Sequence, residues 1–315
     1  MTHGAVHVPV LCDRIVELLS PALQRPGAVY VDGTMGLAGH AIAVLRACPE
    51  ARLIGIDRDL DAHVVATERL GDLAERATLV HAGYDELPRV LAEQGIERID
   101  AMLLDLGLSS LQIDTVERGF AYRVDAPLDM RMNATEGKTA AEVLNGYPES
   151  ELARILTWYG EERFAGRIAR AIVAGRPYTS SARLVETISG AIPAAARHTG
   201  GHPAKRTFQA LRIEVNQELD GLRAVLPAAL SALRVGGRLA VLSYHSLEDR
   251  MVKRAMAELA SDRAPKGIPV VPPHLMAQVR LLTRGAERPD AEETGHNPRA
   301  ASARLRVAER IREEA

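Results

Sequence analysis

The sequence predicts an α/β protein with a doubly wound, Rossmann-like sheet and an inserted helical subdomain. Four short apolar runs alternate with segments of helical periodicity in the first third of the chain. The runs are Ala28–Asp32, Arg52–Asp57, Ala77–His81 and Ile99–Asp105. Continuous apolar strands separated by helices indicate a parallel sheet buried on both faces. Right-handed connections then favour the doubly wound topology.

The first two helices have recognisable starts. A glycine-rich loop at Asp32–His40 follows the first run and opens a helix that carries Ile42 and Leu45 at buried spacing. After the second run, Asp59 is placed to cap a helix that carries Leu60 and later apolar residues.

The pattern changes after Asp105, where residues 114–206 contain no convincing buried strand. Ser150 is a candidate N-cap, apolar residues then recur at helical spacing, and Gly160 is a candidate stop. We therefore expect an inserted helical subdomain at 114–206 and one α/β domain formed by 1–113 and 207–315.

The α/β pattern resumes near the end of the chain. Long helices are predicted across 205–233, a strand at Arg238–Ser243, and a closing strand at Ala303–Ala308 in a hairpin. The segment 262–298 is rich in proline, glycine and charge, which predicts a loop.

Composition limits the class of protein. The 315 residues include two cysteines, too few for a disulfide framework, and the net charge of −2 does not indicate a strongly basic protein. We find no export signal and no apolar run of roughly 18 residues, so a cytoplasmic protein is expected.

The loop at Asp32–His40 is the first candidate binding feature. It follows a strand and opens a helix, whose free N–H groups suit an anionic group such as a carboxylate. The spacing of Gly33, Gly36 and Gly39 differs from the G-x-G-x-x-G pattern of dinucleotide binders. Taken alone, the loop is also compatible with an ordinary strand–helix turn.

Three acids at strand ends indicate the kind of cofactor. Asp32, Asp57 and Asp105 each end an apolar run, where ligands bind in open α/β sheets. Asp57 can accept ribose hydroxyls, although a capping role is the alternative, and Tyr84 can line an adenine slot or be a loop aromatic. Acids repel phosphates but attract a sulfonium and an amino group, which favours S-adenosylmethionine over NAD or ATP.

A set of uncommon strings then becomes recognisable in order along the chain. They are Asp32–His40, Gly55–Asp59, Asp105–Ser110, Arg118–Phe120, Pro127–Met132, Arg206–Ile213, Ser243–Arg250, Asn297–Arg299 and Leu305–Arg310. Together they resemble the ribosomal RNA small subunit methyltransferase H family over nearly the whole chain, beginning at His7. The resemblance implies a class I methyltransferase fold and methylation of N4 of a cytidine in the decoding region of 16S rRNA.

The resemblance also implies site residues. Those implied for S-adenosylmethionine are Ala38, Gly39, His40, Asp57, Tyr84, Asp105 and Gln112. The family commonly has Phe where Tyr84 and Tyr244 stand, and a basic residue where Ala301 stands. Both tyrosines keep the ring, whereas Ala301 is expected to weaken one RNA phosphate contact.

Methyl transfer requires the amine to approach the methyl group from the side opposite sulfur, so positioning carries much of the catalysis. Our hypothesis is that Asp105 is the catalytic residue, bordering both the cofactor and the target amine. Ser109, Ser110, Tyr244 and His245 are expected to shape the base pocket, although a structural role for His245 is equally compatible with the sequence. The target base must be single-stranded or flipped, and the candidate stacking rings, alternatively core residues, are Phe120, Tyr122 and Tyr244.

A basic segment lies within the predicted insertion. Its basic residues are Arg163, Arg167, Arg170, Arg176, Arg183, Arg197, Lys205 and Arg206, against Glu186 alone. Arg163, Arg167 and Arg170 share one helix face, which favours contact with RNA phosphates, with a merely solvated face as the alternative. We therefore expect the insertion to recognise the RNA, and take Arg167 and Arg170 as substrate residues.

Other functions remain open at this point. A methyltransferase acting on another nucleic acid is one, and a nicotinamide-dependent oxidoreductase on the same fold is disfavoured by the glycine spacing. A non-catalytic RNA-binding assembly protein is a third. We find no metal-ligand spacing among the histidines and cysteines. The expected partner is 16S rRNA within the small ribosomal subunit. A homodimer is also compatible with the sequence.

Overall fold

The computed structural model describes residues 9–196, 201–264 and 271–313. Seven strands form one sheet in the order β3-β2-β1-β4-β5-β7-β6. The strands are β1 Val29–Asp32, β2 Arg52–Asp57, β3 Ala77–His81, β4 Ile99–Asp105, β5 Leu233–Ser243, β6 Val279–Leu281 and β7 Arg304–Arg310. Strands β1 to β5 pair in parallel, whereas β7 is antiparallel to both β5 and β6.

The chain divides into two compact units. The first comprises Met1–Gly107 and Asp220–Ala315, and the second Leu108–Leu219. The helices, in chain order, are α1 Cys12–Leu19, α2 Gly39–Ala47, α3 Leu60–Leu70, α4 Leu87–Glu93, α5 Ser110–Asp114, α6 Ala140–Gly146, α7 Glu149–Trp158, α8 Ala165–Ala174, α9 Ser181–Ala191, α10 Lys205–Asn216, α11 Glu218–Ala232, α12 Ser246–Leu259 and α13 Ala291–His296.

In the first unit, helices cover both faces of the sheet. Alternate residues of a strand point to opposite faces, so Leu103 packs in one core with α1, α2 and α3. Its neighbours Met102 and Leu104 pack in the other core with α4, α11 and α12. This arrangement confirms the doubly wound α/β sheet expected from the apolar runs.

The second unit is helical, in agreement with the lack of strand patterns in its sequence. Among its described residues, one isolated β-bridge joins Pro127 and Ser180. Its core includes Ile168 and Ile172, the apolar positions of α8. The unit is wider than the expected insertion at 114–206, because Phe208 and Leu211 on α10 pack into the same core.

Three local expectations were wrong. Ser150 does not cap α7, since the helix begins at Glu149 with Pro148 as its N-cap. Strand β5 begins at Leu233 rather than at Arg238. Gly236, which has a positive φ, lies inside the strand, where the pairing of β5 with β4 shifts its register. The segment 262–298 is not all loop: it contains β6, which pairs with β7 to form the predicted closing hairpin, and α13.

Candidate active site

Three acids meet at the carboxyl edge of the first unit's sheet. Asp32, Asp57 and Asp105 are the last residues of β1, β2 and β4, which are neighbours in the sheet. The sequence predicted each of these strand ends correctly. Because parallel strands end at the same edge, the acids converge although they are far apart in the chain.

The loop between β1 and α2 is held in a fixed conformation by its neighbours. Gly36 and Ala38 both have positive φ, at 48° and 60°. The Met35 N–H donates to the Ile56 carbonyl at 3.0 Å. A Cβ on Gly39 would lie 2.5 Å from Cγ of Pro9, so this glycine is required by packing within the protein. The Ala38 N–H donates to the Met35 carbonyl at 2.8 Å. The start of α2 at Gly39 and His40 therefore presents its N–H groups from a rigid loop.

Asp57 connects this loop to the second strand. One carboxylate oxygen accepts from the Gly36 N–H at 2.7 Å, and the other accepts from the Asp59 N–H at 2.9 Å. Burial raises the pKa of Asp57, while these two hydrogen bonds act in the opposite direction. A carboxylate has about four lone-pair sites, so Asp57 can hold the loop and still accept two ribose hydroxyls. Asp59 caps α3 through its side chain, as predicted.

Asp105 is surrounded by groups from α2 and from the segments that follow β1 and β5. Its N–H donates to Oγ1 of Thr34 at 2.6 Å, which joins the end of β4 to the loop after β1. The Tyr244 hydroxyl donates to the Asp105 carboxylate, and burial together with this acid raises the pKa of Tyr244 well above its usual value. Nδ1 of His40 lies 3.7 Å from Oδ2 of Asp105. The carboxylate is thus oriented by its surroundings and remains partly exposed.

The charge of this edge fits a cationic cofactor. Asp32 is 1% exposed, and its pKa is raised from 3.8 to about 7, first by burial and then by repulsion from Asp105 and Asp57, with His40 and the Thr34 N–H opposing the shift. A polyphosphate would add to this repulsion, whereas a sulfonium and an ammonium group would relieve it. The donor set therefore suits S-adenosylmethionine. The placement of its amino-acid end at His40 and of its ribose at Asp57 stays a prediction.

Tyr84 is half-buried in the segment after β3 and is supported on two sides. The Arg58 guanidinium lies 5.4 Å from its ring centroid. A Cβ on Gly221 would approach a ring carbon to 3.0 Å. The ring is therefore held in place in the loop after β3, where it can flank the adenine, and this role stays a prediction.

His245 has a structural role in the first unit. It is the N-cap of α12, where its Nδ1 accepts from the Glu248 N–H at 3.4 Å. Its Nε2 lies 3.0 Å from Oε1 of Glu248, whose other oxygen accepts from the Tyr244 N–H at 2.8 Å. These contacts favour the structural alternative for His245, and they fix the turn that carries Tyr244.

The remaining predicted pocket residues belong to the second unit. Ser109 caps α5, since its hydroxyl accepts from the Gln112 N–H at 3.2 Å and its own N–H donates to the Gln112 side chain at 3.1 Å. Ser110 is the first residue of that helix. Phe120 is 8% exposed and lies in the core of this unit, so it is a core residue rather than a ring available for base stacking. Tyr122 stacks on His202 with 4.6 Å between ring centroids.

The predicted basic face separates into two groups. Arg167 and Arg170 are exposed on α8, and Arg170 lies 3.5 Å from Glu149. In contrast, Arg176, Arg183 and Arg206 donate to main-chain carbonyls within the unit. These three stabilise the fold, whereas Arg167 and Arg170 remain exposed on α8. Arg163 and Lys205 are exposed as well, but Arg163 precedes α8 rather than sharing its face, and Lys205 begins α10. Arg197 lies outside the described residues.

Sequence reasoning missed two supports of the site. Thr34 stands inside the recognised loop, so its position was a usable signal, but its hydrogen bond to Asp105 depends on the pairing of β1 with β4. The Val10 carbonyl accepts from Nε2 of His40 at 2.9 Å. A main-chain carbonyl carries no side-chain signal, so this contact could not be read from the sequence.

The sheet order, with the antiparallel β7 inserted between β5 and β6, and the acidic edge define a class I S-adenosylmethionine-dependent methyltransferase. More particularly, the chain belongs to the MraW methylase family, whose model matches residues 4–311. This membership leaves the oxidoreductase alternative without support. In the part of the chain that the structure describes, no helix is long and apolar enough to cross a membrane.

Known proteins are similar along the full length. A protein of Thermobifida fusca (strain YX) named ribosomal RNA small subunit methyltransferase H is 60% identical over 310 residues, covering 98% of this chain and 94% of its own length. A protein of the same name from Frankia alni is 62% identical over 309 residues, covering 97% and 95%. The solved structure of an rRNA methylase from Streptococcus thermophilus is 12% identical, with a TM-score of 0.43 and coverage of 98% and 100%.

Proposed function

We propose that this protein transfers the methyl group of S-adenosylmethionine to N4 of a cytidine in the decoding region of 16S rRNA. The observation that carries the proposal is the Asp105 carboxylate, held at the carboxyl end of β4 by Thr34 and Tyr244, beside a loop suited to the cofactor. The relatives named ribosomal RNA small subunit methyltransferase H support the choice of rRNA as substrate.

The residues of the first unit account for the chemistry. Bound at this edge, S-adenosylmethionine supplies an electrophilic methyl group on a positively charged sulfur. The N4 amine of cytosine is a weak nucleophile, because its lone pair is delocalised into the ring. A carboxylate that accepts an N4–H bond concentrates electron density on nitrogen as the new bond forms. Asp105 is suited to this role because Thr34 and Tyr244 fix its backbone and side chain.

The second unit supplies RNA recognition in this proposal. Arg167 and Arg170 extend from α8 into solvent, where guanidinium groups can pair with phosphates. Small ribosomal subunits lie in the cytoplasm of bacteria, and we place the protein there with its substrate. Gln112, which is 5% exposed, completes the set of residues that we assign to the cofactor.

The test is incubation of unmodified small subunits and of free 16S rRNA with the protein and labelled S-adenosylmethionine. Nucleoside mass spectrometry should then find N4-methylcytidine in at least one of the two substrates. Label transfer to another nucleoside would contradict the substrate, and cofactor binding without any transfer would contradict the activity and favour an assembly protein.

A further inference from the structure

His40 and Asp105 form a pair that cofactor binding alone does not explain. The imidazole is 7% exposed, and one of its two nitrogens is held by a hydrogen bond. Its Nε2 lies 2.9 Å from the Val10 carbonyl, and its Nδ1 faces Oδ2 of Asp105 at 3.7 Å. The ring therefore bridges the main chain before α1 and the acid that we place at the target amine.

The Val10 contact determines which nitrogen carries the proton. A carbonyl oxygen can only accept, so Nε2 of His40 must be the N–H donor. In the neutral ring, Nδ1 then presents its lone pair to the Asp105 carboxylate. Two acceptors facing each other are unfavourable until a proton lies between them. The gap between Nδ1 and Oδ2 is thus arranged to receive one proton.

The surroundings of this pair favour a bound positive charge. Asp32 at the end of β1 is close enough for His40 to lower its pKa. The phenols of Tyr30 and Tyr244 have pKa values raised well above normal by burial and by these acids, so they stay neutral. The further groups that act on these phenols are the Cys12 thiol of α1, the Glu248 carboxylate of α12 and the Glu293 carboxylate of α13. No other cationic side chain of the described part of the unit pairs with Asp105.

We propose that His40 is the proton acceptor of the methyl transfer, acting through Asp105; this rests on the proposed function. The N4 lone pair forms the new N–C bond, and the S–C bond breaks with its electron pair going to sulfur, which leaves a neutral thioether. The methylated nitrogen then loses one proton to Oδ2 of Asp105, and this proton passes to Nδ1 of His40. The products are N4-methylcytidine, the thioether and an imidazolium paired with a carboxylate.

The chemistry of the Asp105 carboxylate and of the His40 imidazole explains why each has its own role in this proposal. A carboxylate can reach the amine and take its proton, but a carboxylic acid holds a proton poorly at neutral pH. Imidazole is the side chain whose charge ordinarily changes nearest to neutral pH. The two atoms need only approach from 3.7 Å to about 2.8 Å for a charge-assisted hydrogen bond.

The first test needs no turnover. Nitrogen NMR of the histidine-labelled protein without RNA should show that the neutral His40 ring carries its proton on Nε2, with Nδ1 unprotonated. A His40 ring that carries its proton on Nδ1 and none on Nε2 would overturn the proposal.

The second test separates binding from transfer. His40→Gln keeps an N–H donor for the Val10 carbonyl but removes the titrating nitrogen, and His296→Gln on the exposed end of α13 is the matched control. At saturating cofactor and RNA, the single-turnover rate of His40→Gln at pH 7 should fall by about 10- to 100-fold. The wild-type rate should decrease as the pH falls, because protonation removes the acceptor, whereas the rate of the variant should depend less on pH.

The outcomes distinguish this proposal from the proposed function. A His40→Gln variant that binds S-adenosylmethionine more weakly, yet transfers at the wild-type rate when saturated and with the wild-type pH profile, assigns His40 to binding alone and rejects the acceptor role. A wild-type protein that makes no N4-methylcytidine rejects the proposed function instead, and with it the reaction for which the acceptor is proposed.

Discussion

The Asp57 carboxylate accepts a hydrogen bond from the Gly36 N–H at 2.7 Å. This contact ties the end of β2 to the loop after β1, so the acid expected at the ribose also sets the shape of the loop expected at the amino-acid end of the cofactor. The two halves of the cofactor site are therefore coupled within the protein. Substitution of Asp57 would disturb both of them.

Replacing Asp105 by Asn should reduce turnover far more than cofactor affinity. The amide keeps the size of the side chain but cannot take a proton from the amine, so we expect kcat to fall by about 100-fold or more. Equilibrium binding of S-adenosylmethionine and steady-state kinetics measure the two effects separately. Asp72→Asn, on an exposed turn, is the matched control. Normal turnover by Asp105→Asn would remove this residue from the mechanism.

Asp32 should make the folded protein less stable as the pH rises. Its pKa is raised from 3.8 to about 7, so the folded state keeps a proton that the unfolded chain releases. The stability from this proton is fully present below about pH 4 and is lost as the pH rises through 7. The free energy of unfolding of Asp32→Asn relative to wild type should therefore increase between pH 4 and 8. Urea denaturation across this range checks it, and a constant difference would contradict it.

Cofactor binding should release protons near neutral pH. A cationic ligand stabilises the ionised form of Asp32, whose pKa of about 7 leaves part of the protein protonated before binding. The affinity for S-adenosylmethionine should therefore rise from pH 6 to pH 8. Calorimetry in two buffers of different ionisation enthalpy measures the released protons. Asp32→Asn should bind without this release, and equal release by both proteins would assign it to another group.

Gly39→Ala should destabilise the protein and weaken cofactor binding. The new Cβ would lie 2.5 Å from Cγ of Pro9, so the loop or the segment before α1 must shift. Thermal unfolding and cofactor titration measure both consequences. Gly166→Ala is the control, because no atom lies within 4 Å of its added Cβ inside α8. In that helix, alanine should leave stability unchanged or raise it by up to about 1 kcal/mol.

Charge reversal at Arg167 and Arg170 should weaken RNA binding without unfolding the second unit. Both side chains are exposed on α8, and each phosphate contact that is lost should reduce the slope of log affinity against log salt by about 0.7 to 0.9. Filter binding at several salt concentrations measures the slope. Arg69→Glu on the exposed face of α3 is the control. Unchanged affinity and slope would show that α8 does not face the RNA.

The sequence by itself determined the order of the strands along the chain and the acids that end them. Asp32, Asp57 and Asp105 could be placed because apolar runs of strand length end abruptly at a charged residue. The same local reasoning failed at β6, a strand of three residues that forms only because β7 offers it an edge. It also failed at Phe208 and Leu211, whose helical pattern does not show which core they enter.

Only the tertiary structure decided what each site residue contacts. His40 and Asp105 are 65 positions apart in the chain, and their approach depends on the pairing of β1 with β4. The tautomer of His40 depends on a main-chain carbonyl, and the role of Arg176 depends on two others, at Leu144 and Tyr147. Main-chain groups are the same in every residue, so their contacts become visible only when the chain is folded.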